Sequence, residues 1–196
     1  MIANLRYMAP EVYLEAEENS LVKHEYRRGD VYAMAGASNN HVLISLSLAS
    51  LLRSHLRGSG CRTFIADTKA HIEVLNTYYY PDVMVSCDRR DREFDNFLRY
   101  PCVIVEVLSE STEAFDRGDK FADYRQLESL QEYVLVSQTR QRIDCFRRDA
   151  QGAWVLSSYS GDEKLLLPSL NFECAVADIY EDVTLESVSP VPEETA

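Results

Sequence analysis

An α+β domain with a mixed β-sheet flanked by helices is the fold class the sequence predicts. One amphipathic helical stripe and a series of short, β-branched runs follow one another with no internal repeat, no low-complexity block and no linker. At 196 residues, 46% hydrophobic and 10% aromatic, the chain is about one domain long and can bury a core. The domain is expected over residues 1–187, with an acidic, frayed tail over 188–196.

Pro10 to Glu18 reads as a short helix, with proline in its first turn, acids early, and Val12, Tyr13 and Leu14 as its apolar content. Gly29 marks a turn that places Glu25 just before a hairpin whose second strand is Val31 to Met34. Gly36 to Asn40 then caps a helix from His41 to Leu56, where Ile44, Leu48, Leu51, Leu52 and Leu56 form one stripe and Gly58 and Gly60 stop it. That helix should cover one face of the sheet, with His41 facing a polar pocket at its start. Arg62 to Ala66 and Lys69 to Val74 are strand-like, and Tyr78 to Val85 is predicted as a single half-buried central strand. Residues 88–99 are too charged for a core and read as a surface connection.

Pro101 opens the strand that ends in Glu106, and a helix from Asp116 to Leu130 follows, with Phe121, Tyr124 and Leu127 on its apolar face. Glu132 to Val136, Ile143 to Phe146, Ala153 to Tyr159 and Lys164 to Leu167 are further strands, and Ala175 to Tyr180 is a last short helix.

Composition narrows the setting. No apolar run approaches the roughly 18 residues of a membrane span, and no basic-then-apolar leader opens the chain, so a soluble cytoplasmic protein is expected. Cys61, Cys87, Cys102, Cys145 and Cys174 are odd in number and widely spread, without a CxxC pair, which points to reduced, packed thiols and away from zinc. The 20 basic and 32 acidic residues leave a net charge of −12, the opposite of the basic footprint that phosphate binding normally leaves. Part of this acidity is local, because residues 173–196 hold Glu173, Asp178, Glu181, Asp182, Glu186, Glu193 and Glu194 and no Lys or Arg.

Two runs carry the chemistry: Tyr80-Pro81-Asp82-Val83-Met84-Val85 and Cys102-Val103-Ile104-Val105-Glu106-Val107. Each is an apolar stretch with one carboxylate, and a carboxylate among core residues is costly unless something pairs with it. On adjacent strands Asp82 and Glu106 would project onto one point, where a hard divalent cation such as Mg²⁺ or Mn²⁺ takes carboxylate oxygens. Lys120, one helical turn from both Asp116 and Tyr124, can turn back over the strand ends. Such a set suits metal-assisted phosphodiester hydrolysis: two acids hold the ion, and an ammonium steadies developing negative charge. Glu25 is a candidate fourth member.

Pro81-Asp82 followed by Glu106-Val107-Leu108 resembles the PD-(D/E)XK nuclease superfamily, except that Leu108 stands where that pattern has its lysine. The wider order Glu25, His41, Tyr80-Pro81-Asp82-Val83, Val105-Glu106-Val107-Leu108-Ser109, Asp116-Arg117-Gly118-Asp119-Lys120, Tyr124 and Glu132-Tyr133-Val134-Leu135-Val136 is similar to one branch of it, the Uma-two restriction endonuclease family. The resemblance runs from about Pro10 to Val183. It implies a restriction-endonuclease-like fold, a homodimer, DNA as substrate, Asp82 and Glu106 as metal ligands, and Lys120, from the following helix, in place of the missing lysine.

Plainer readings stand beside these. An Asp after Pro is often a turn residue, Lys120 can be an exposed helix charge bridging Asp116, and Glu25 alone is most simply a surface residue. His41 is more often a helix-end hydrogen bonder than a ligand or base, and Asp67 either faces the same cleft or shapes a turn. Arg53, Arg57 and Arg62 could track a phosphate backbone, and a solvated helix face explains the first two as well. The rival to a metal-dependent endonuclease is a nuclease-fold binding or assembly module that no longer cuts.

Overall fold

In the computed structural model, which describes residues 7–185, the strands divide among three sheets instead of joining one. Helix α1 (Pro10–Glu18) begins where the sequence predicts and lays Tyr13 on the hairpin β1 (His24–Arg27) and β2 (Asp30–Ala33). The Tyr13 ring stacks on Tyr26 at 4.9 Å between centroids, and its hydroxyl donates to the His24 carbonyl at 2.6 Å. Glu25 therefore sits inside the first strand, not just before the hairpin. Helix α2 (Asn39–His55) starts two residues earlier than the apolar stripe implies, because Ser38 caps it by accepting the His41 N–H at 3.1 Å.

Strands β3 (Arg62–Ile65) and β4 (Lys69–Ile72) belong to different sheets, and so do the two halves of the predicted central strand. What reads as one run from Tyr78 to Val85 is β5 (Thr77–Tyr79) and β6 (Val83–Ser86), parted at Tyr80-Pro81-Asp82. Proline has no N–H to donate to a ladder, so the chain leaves one sheet at Pro81 and enters the next. The short β7 (Phe97–Leu98) pairs in parallel with β4, and β8 (Val103–Leu108) leads towards helices α3 (Glu113–Arg117) and α4 (Asp119–Tyr124). These replace the single helix expected from Asp116 to Leu130. They part at Gly118, where a side chain would press on the Ala114 carbonyl oxygen at 3.1 Å.

Strands β9 (Glu132–Ser137), β10 (Arg142–Arg148) and β11 (Trp154–Ser160) extend the central sheet, while β12 (Lys164–Leu167), β13 (Phe172–Ala175) and α5 (Val176–Ile179) close the domain. The central sheet runs β11-β10-β9-β8-β6-β3, with β8 and β9 parallel and its other pairs antiparallel. A five-stranded sheet, β2-β1-β5-β4-β7, lies beside it.

Strand β8 is buried on both faces, which is why it reads as a continuous apolar run. Val103, Val105 and Val107 pack with Ile44, Leu48 and Leu52 of α2. Ile104 and Leu108 pack with Phe121 and Tyr124 of α4. Glu106 shares that second face, so its carboxylate points into the α4 layer.

Two further expectations need correcting. Arg62 pairs with Ser86 across β3 and β6, so Cys61 and Cys87 stand one step further out on facing strands and are joined by a disulfide. Cys102, Cys145 and Cys174 are free. The charged connection at 88–99 is also less superficial than its composition implies, since Asp91 is fully buried and accepts from the Ser86 hydroxyl and the N–H groups of Arg99 and Tyr100. The frayed tail expected over 188–196 lies outside the described residues. Among those residues, no helix is long and apolar enough to cross a membrane.

His71 on β4 gives the fold a measurable acid sensitivity. Its ring stacks on Tyr78 at 4.1 Å and its Nδ1 accepts from Arg99 Nε at 3.2 Å. Burial, reinforced by the Arg99 charge, pushes its pKa down from 6.5 to about 4. Between those values the unfolded chain binds a proton that the folded one refuses, so stability falls as pH drops through this window. Urea denaturation should show His71→Gln losing roughly 1–2 kcal/mol less than the wild type over that interval. Parallel stability curves for the two proteins would contradict this assignment.

Candidate active site

The break at Pro81 determines where Asp82 falls. Val83 pairs with Val105 in the antiparallel β6–β8 ladder, so the next residue out, Asp82, stands level with Glu106. Its Oδ2 accepts the Val107 N–H at 2.7 Å, so the side chain stands in for a main-chain acceptor at the strand end. Glu106 is 4% exposed, and its Oε1 accepts from the Tyr124 hydroxyl and from Lys120 Nζ, both at 2.9 Å.

Lys120 enters from the first turn of α4 and is as buried as its partners. Its ammonium lies 3.0 Å from Glu25 Oε1 and 3.6 Å from Asp116 Oδ1, in addition to Glu106. Glu25 arrives from the five-stranded sheet, where β1 pairs with β5, and also accepts the Tyr80 N–H at 3.3 Å. The segment Tyr80-Pro81-Asp82 thus joins the two sheets between Glu25, which contacts Lys120, and Glu106, which stands level with Asp82 and contacts the same lysine. His41 comes from the opposite layer, and its Nε2 lies 3.2 Å from Asp82 Oδ2.

Charge is unbalanced here. Glu25, Asp82, Glu106 and Asp116 face one ammonium and one imidazole. Burial drives the Glu106 carboxyl well above the ordinary range, and the Lys120 charge opposes that without cancelling it. Asp116 is raised for the same first reason. Burial works against the Lys120 ammonium, yet attraction from Glu106, Glu25 and Asp116 outweighs it and holds its pKa well above the usual lysine range. At His41 burial again opposes charge, and Asp82 reverses the balance, so the ring's pKa is raised.

These groups form the floor of a groove of about 820 Å³, whose walls include Tyr32, Met34, Val42, Leu46 and Ile65. All four expected residues, Glu25, Asp82, Glu106 and Lys120, meet on that floor. Asp116 was signalled only by its one-turn spacing from Lys120, and His41 only by its place at a helix start. Asp67 is not part of the floor and pairs with Lys23.

Among the described residues, no three His, Cys, Asp or Glu side chains converge in a metal-binding cluster. The donor set nevertheless suits an ion that keeps most of its water. Mg²⁺ is commonly held by one or two carboxylates, and hydrogen bonding uses one oxygen each of Asp82 and Glu106, leaving the other oxygen as a donor. The surplus of negative charge favours a cation at the same place.

The Lys120 pairing makes a stability prediction. In Lys120→Met, Glu106 loses its nearest positive charge and its carboxyl pKa rises further. A carboxyl held above its unfolded value contributes stability that is lost as pH rises past that value. The variant's deficit in urea denaturation should therefore grow from pH 5 to pH 8, reaching about 3 kcal/mol. A deficit of equal size at both pH values would contradict a hold of Lys120 on the Glu106 proton over this range.

Known proteins show the same outline. A putative nuclease belonging to DUF820 from Anabaena variabilis superposes with a TM-score of 0.75 over 90% of this chain and 99% of its own, at 16% identity, which establishes a shared fold. Two uncharacterized proteins of Synechocystis sp. are similar in sequence. The protein slr1290 is 44% identical over 88% of this chain and 91% of its own length, and sll1609 is 32% identical over 83% and 93%. The family profile described as "Uma2: Putative restriction endonuclease" matches residues 10–177, most of the chain and every residue of the groove floor. The chain belongs to the Uma2 family.

Proposed function

We propose that this protein is a metal-dependent endonuclease that hydrolyses DNA phosphodiester bonds, with Asp82 and Glu106 holding Mg²⁺ or Mn²⁺. The observation that carries the reading is the buried Lys120 ammonium 2.9 Å from Glu106, beside a carboxylate pair with more negative charge than the lysine neutralises. Membership of the Uma2 family supports the same class of activity. The ion would supply Lewis acidity and a metal-bound water of lowered pKa.

The remaining work falls to side chains. Lys120 is placed to meet the negative charge that develops on the phosphoryl oxygens as the bond breaks. Glu25 fixes the ammonium from the far side while anchored to the Tyr80 N–H. The Tyr124 hydroxyl holds Glu106 in one rotamer, and the apolar groove walls limit bulk water around the reacting ester. A homodimer and a cytoplasmic setting accompany this proposal.

One observation favours the rival reading of a nuclease-fold binding module: the net charge of −12. Metal-dependent cleavage separates the two. Asp82→Ala should retain the wild-type circular dichroism spectrum and lose Mn²⁺-dependent cleavage of plasmid DNA by at least a hundredfold. Undiminished cleavage in that variant would remove Asp82 from the mechanism. Absence of Mg²⁺ and Mn²⁺ binding to the wild type in calorimetry at several millimolar, an order-of-magnitude ceiling for such sites, would favour the module.

A further inference from the structure

Cys102 stands beside a disulfide that it does not share. Its Sγ lies 3.9 Å from Cys87 Sγ, and Cys87 is already bonded to Cys61. We infer that these three cysteines form a thiol–disulfide exchange site, in which Cys87 is the shared sulfur, bonded to Cys61 in one state and to Cys102 in the other. The co-reactants of such a site are low-molecular-weight thiols and disulfides. The inference does not depend on the metal-dependent reading of the groove.

Sheet order sets up the trio. Strand β6 lies between β3 and β8. On one side Arg62 pairs with Ser86, which puts Cys61 opposite Cys87. On the other side Val85 pairs with Val103, so Cys102 falls opposite Ser86, one residue short of Cys87. The Cys102 N–H donates to the Val85 carbonyl at 2.8 Å and its thiol donates to the same oxygen at 3.4 Å, which holds the side chain against β6. Cys87 therefore has a cysteine beside it on each flanking strand.

Solvent can reach the bond. Cys87 is exposed, and Cys61 and Cys102 are half-buried, whereas the free Cys145 and Cys174 are buried elsewhere in the core. Exposed disulfides are the readily exchanged ones. In the cytoplasmic setting proposed above, a disulfide is more often transient and redox-responsive than structural.

The exchange balances without an added oxidant. Cys102 gives up its proton, and its thiolate attacks Cys87 Sγ. The Cys87–Cys102 bond forms as the Cys61–Cys87 bond breaks, and the electron pair leaves on Cys61 Sγ, which takes up a proton. Burial, reinforced by the Glu132 charge, pushes the Cys102 thiol up to about 11, so the attacking thiolate is scarce at neutral pH and exchange is slow there. Exchange removes the covalent tie on β3, an edge strand whose far end carries Ile65 of the groove wall. The new bond joins β6 and β8, which are already paired.

The test is disulfide mapping by mass spectrometry on the folded, full-length protein, alkylated after incubation with reduced and oxidised glutathione at mildly alkaline pH. The wild type should yield both Cys61–Cys87 and Cys87–Cys102 peptides. In Cys61→Ser, oxidised glutathione should cap Cys87 as a mixed disulfide, and Cys102 should then displace glutathione to leave the Cys87–Cys102 peptide. Adding Cys102→Ser should abolish that peptide and stop the reaction at the mixed disulfide. A wild type that yields Cys61–Cys87 alone would overturn the inference. So would a Cys61→Ser protein in which Cys87 stays capped and Cys102 stays open to alkylation. Peptides linking Cys145 or Cys174 would overturn it too, since those buried thiols react only through unfolding.

Discussion

Lys120 is buried among more carboxylates than it can neutralise, and the rest of the site follows from that imbalance. Its side chain is 7% exposed, with Glu106 and Glu25 in direct contact and Asp116 one turn away. Breaking such a pair costs several kcal/mol, because the surviving charge has no water to turn to. The lysine alone leaves Asp82 and part of the Glu106 charge uncompensated. A buried surplus of this kind either takes up protons, as burial already encourages at Glu106 and Asp116, or takes up a cation.

Two interruptions in the backbone make the cluster possible. At Pro81 the chain crosses from one sheet to another, which brings Glu25 from the five-stranded sheet next to Asp82 and Glu106 in the six-stranded one. At Gly118 two short helices meet, and the second places Lys120 over the end of β8. Leu108 fills the position in which the superfamily pattern carries its lysine, and it is buried against α4 instead of facing the groove. Glu106 therefore finds its ammonium across the layer, not along its own strand.

Much of this was legible from residue chemistry. Glu106 stood out because a lone acid in a run of valine and isoleucine needs a partner, and Asp82 because it faced a similar run. The α1 boundaries followed from Pro10 and from the acids around it. The division of Tyr78–Val85 was signalled by Pro81 but outweighed by its flanks, an aromatic half and an aliphatic half that both suit strands, and only the pairing partners assign them to different sheets. The helix over Asp116–Leu130 was overextended at its far end, where the apolar spacing of Phe121 and Tyr124 continues to Leu127 although α4 stops at Tyr124, and Gly118 parts α3 from α4 near its start. Cys61 and Cys87 face one another only because β3 and β6 pair in one register, which 26 residues of separation did not reveal. His41 looked like any capped helix start, and its meaning depends on Asp82 lying 3.2 Å away.

The charge distribution bears on the proposed reading, because few positive charges in the groove are free of a carboxylate partner. Several arginines serve the scaffold: Arg117 and Arg142 pair with buried Asp144, Arg27 and Arg28 with Asp123, and Arg148 donates to the carbonyls of Arg125, Leu127 and Glu128. The groove itself offers Lys23, paired with Asp67, and Lys120, paired with Glu25 and Glu106. In the proposed reading, a bound cation would be the counter-charge for a phosphodiester there. A crystal structure with Mn²⁺, phased on its anomalous signal, tests this most directly. The account predicts one anomalous peak between Asp82 and Glu106, with oxygens of both within about 2.2 Å and Lys120 still against Glu106. A carboxylate pair without a peak, or an ion bound elsewhere, would contradict it.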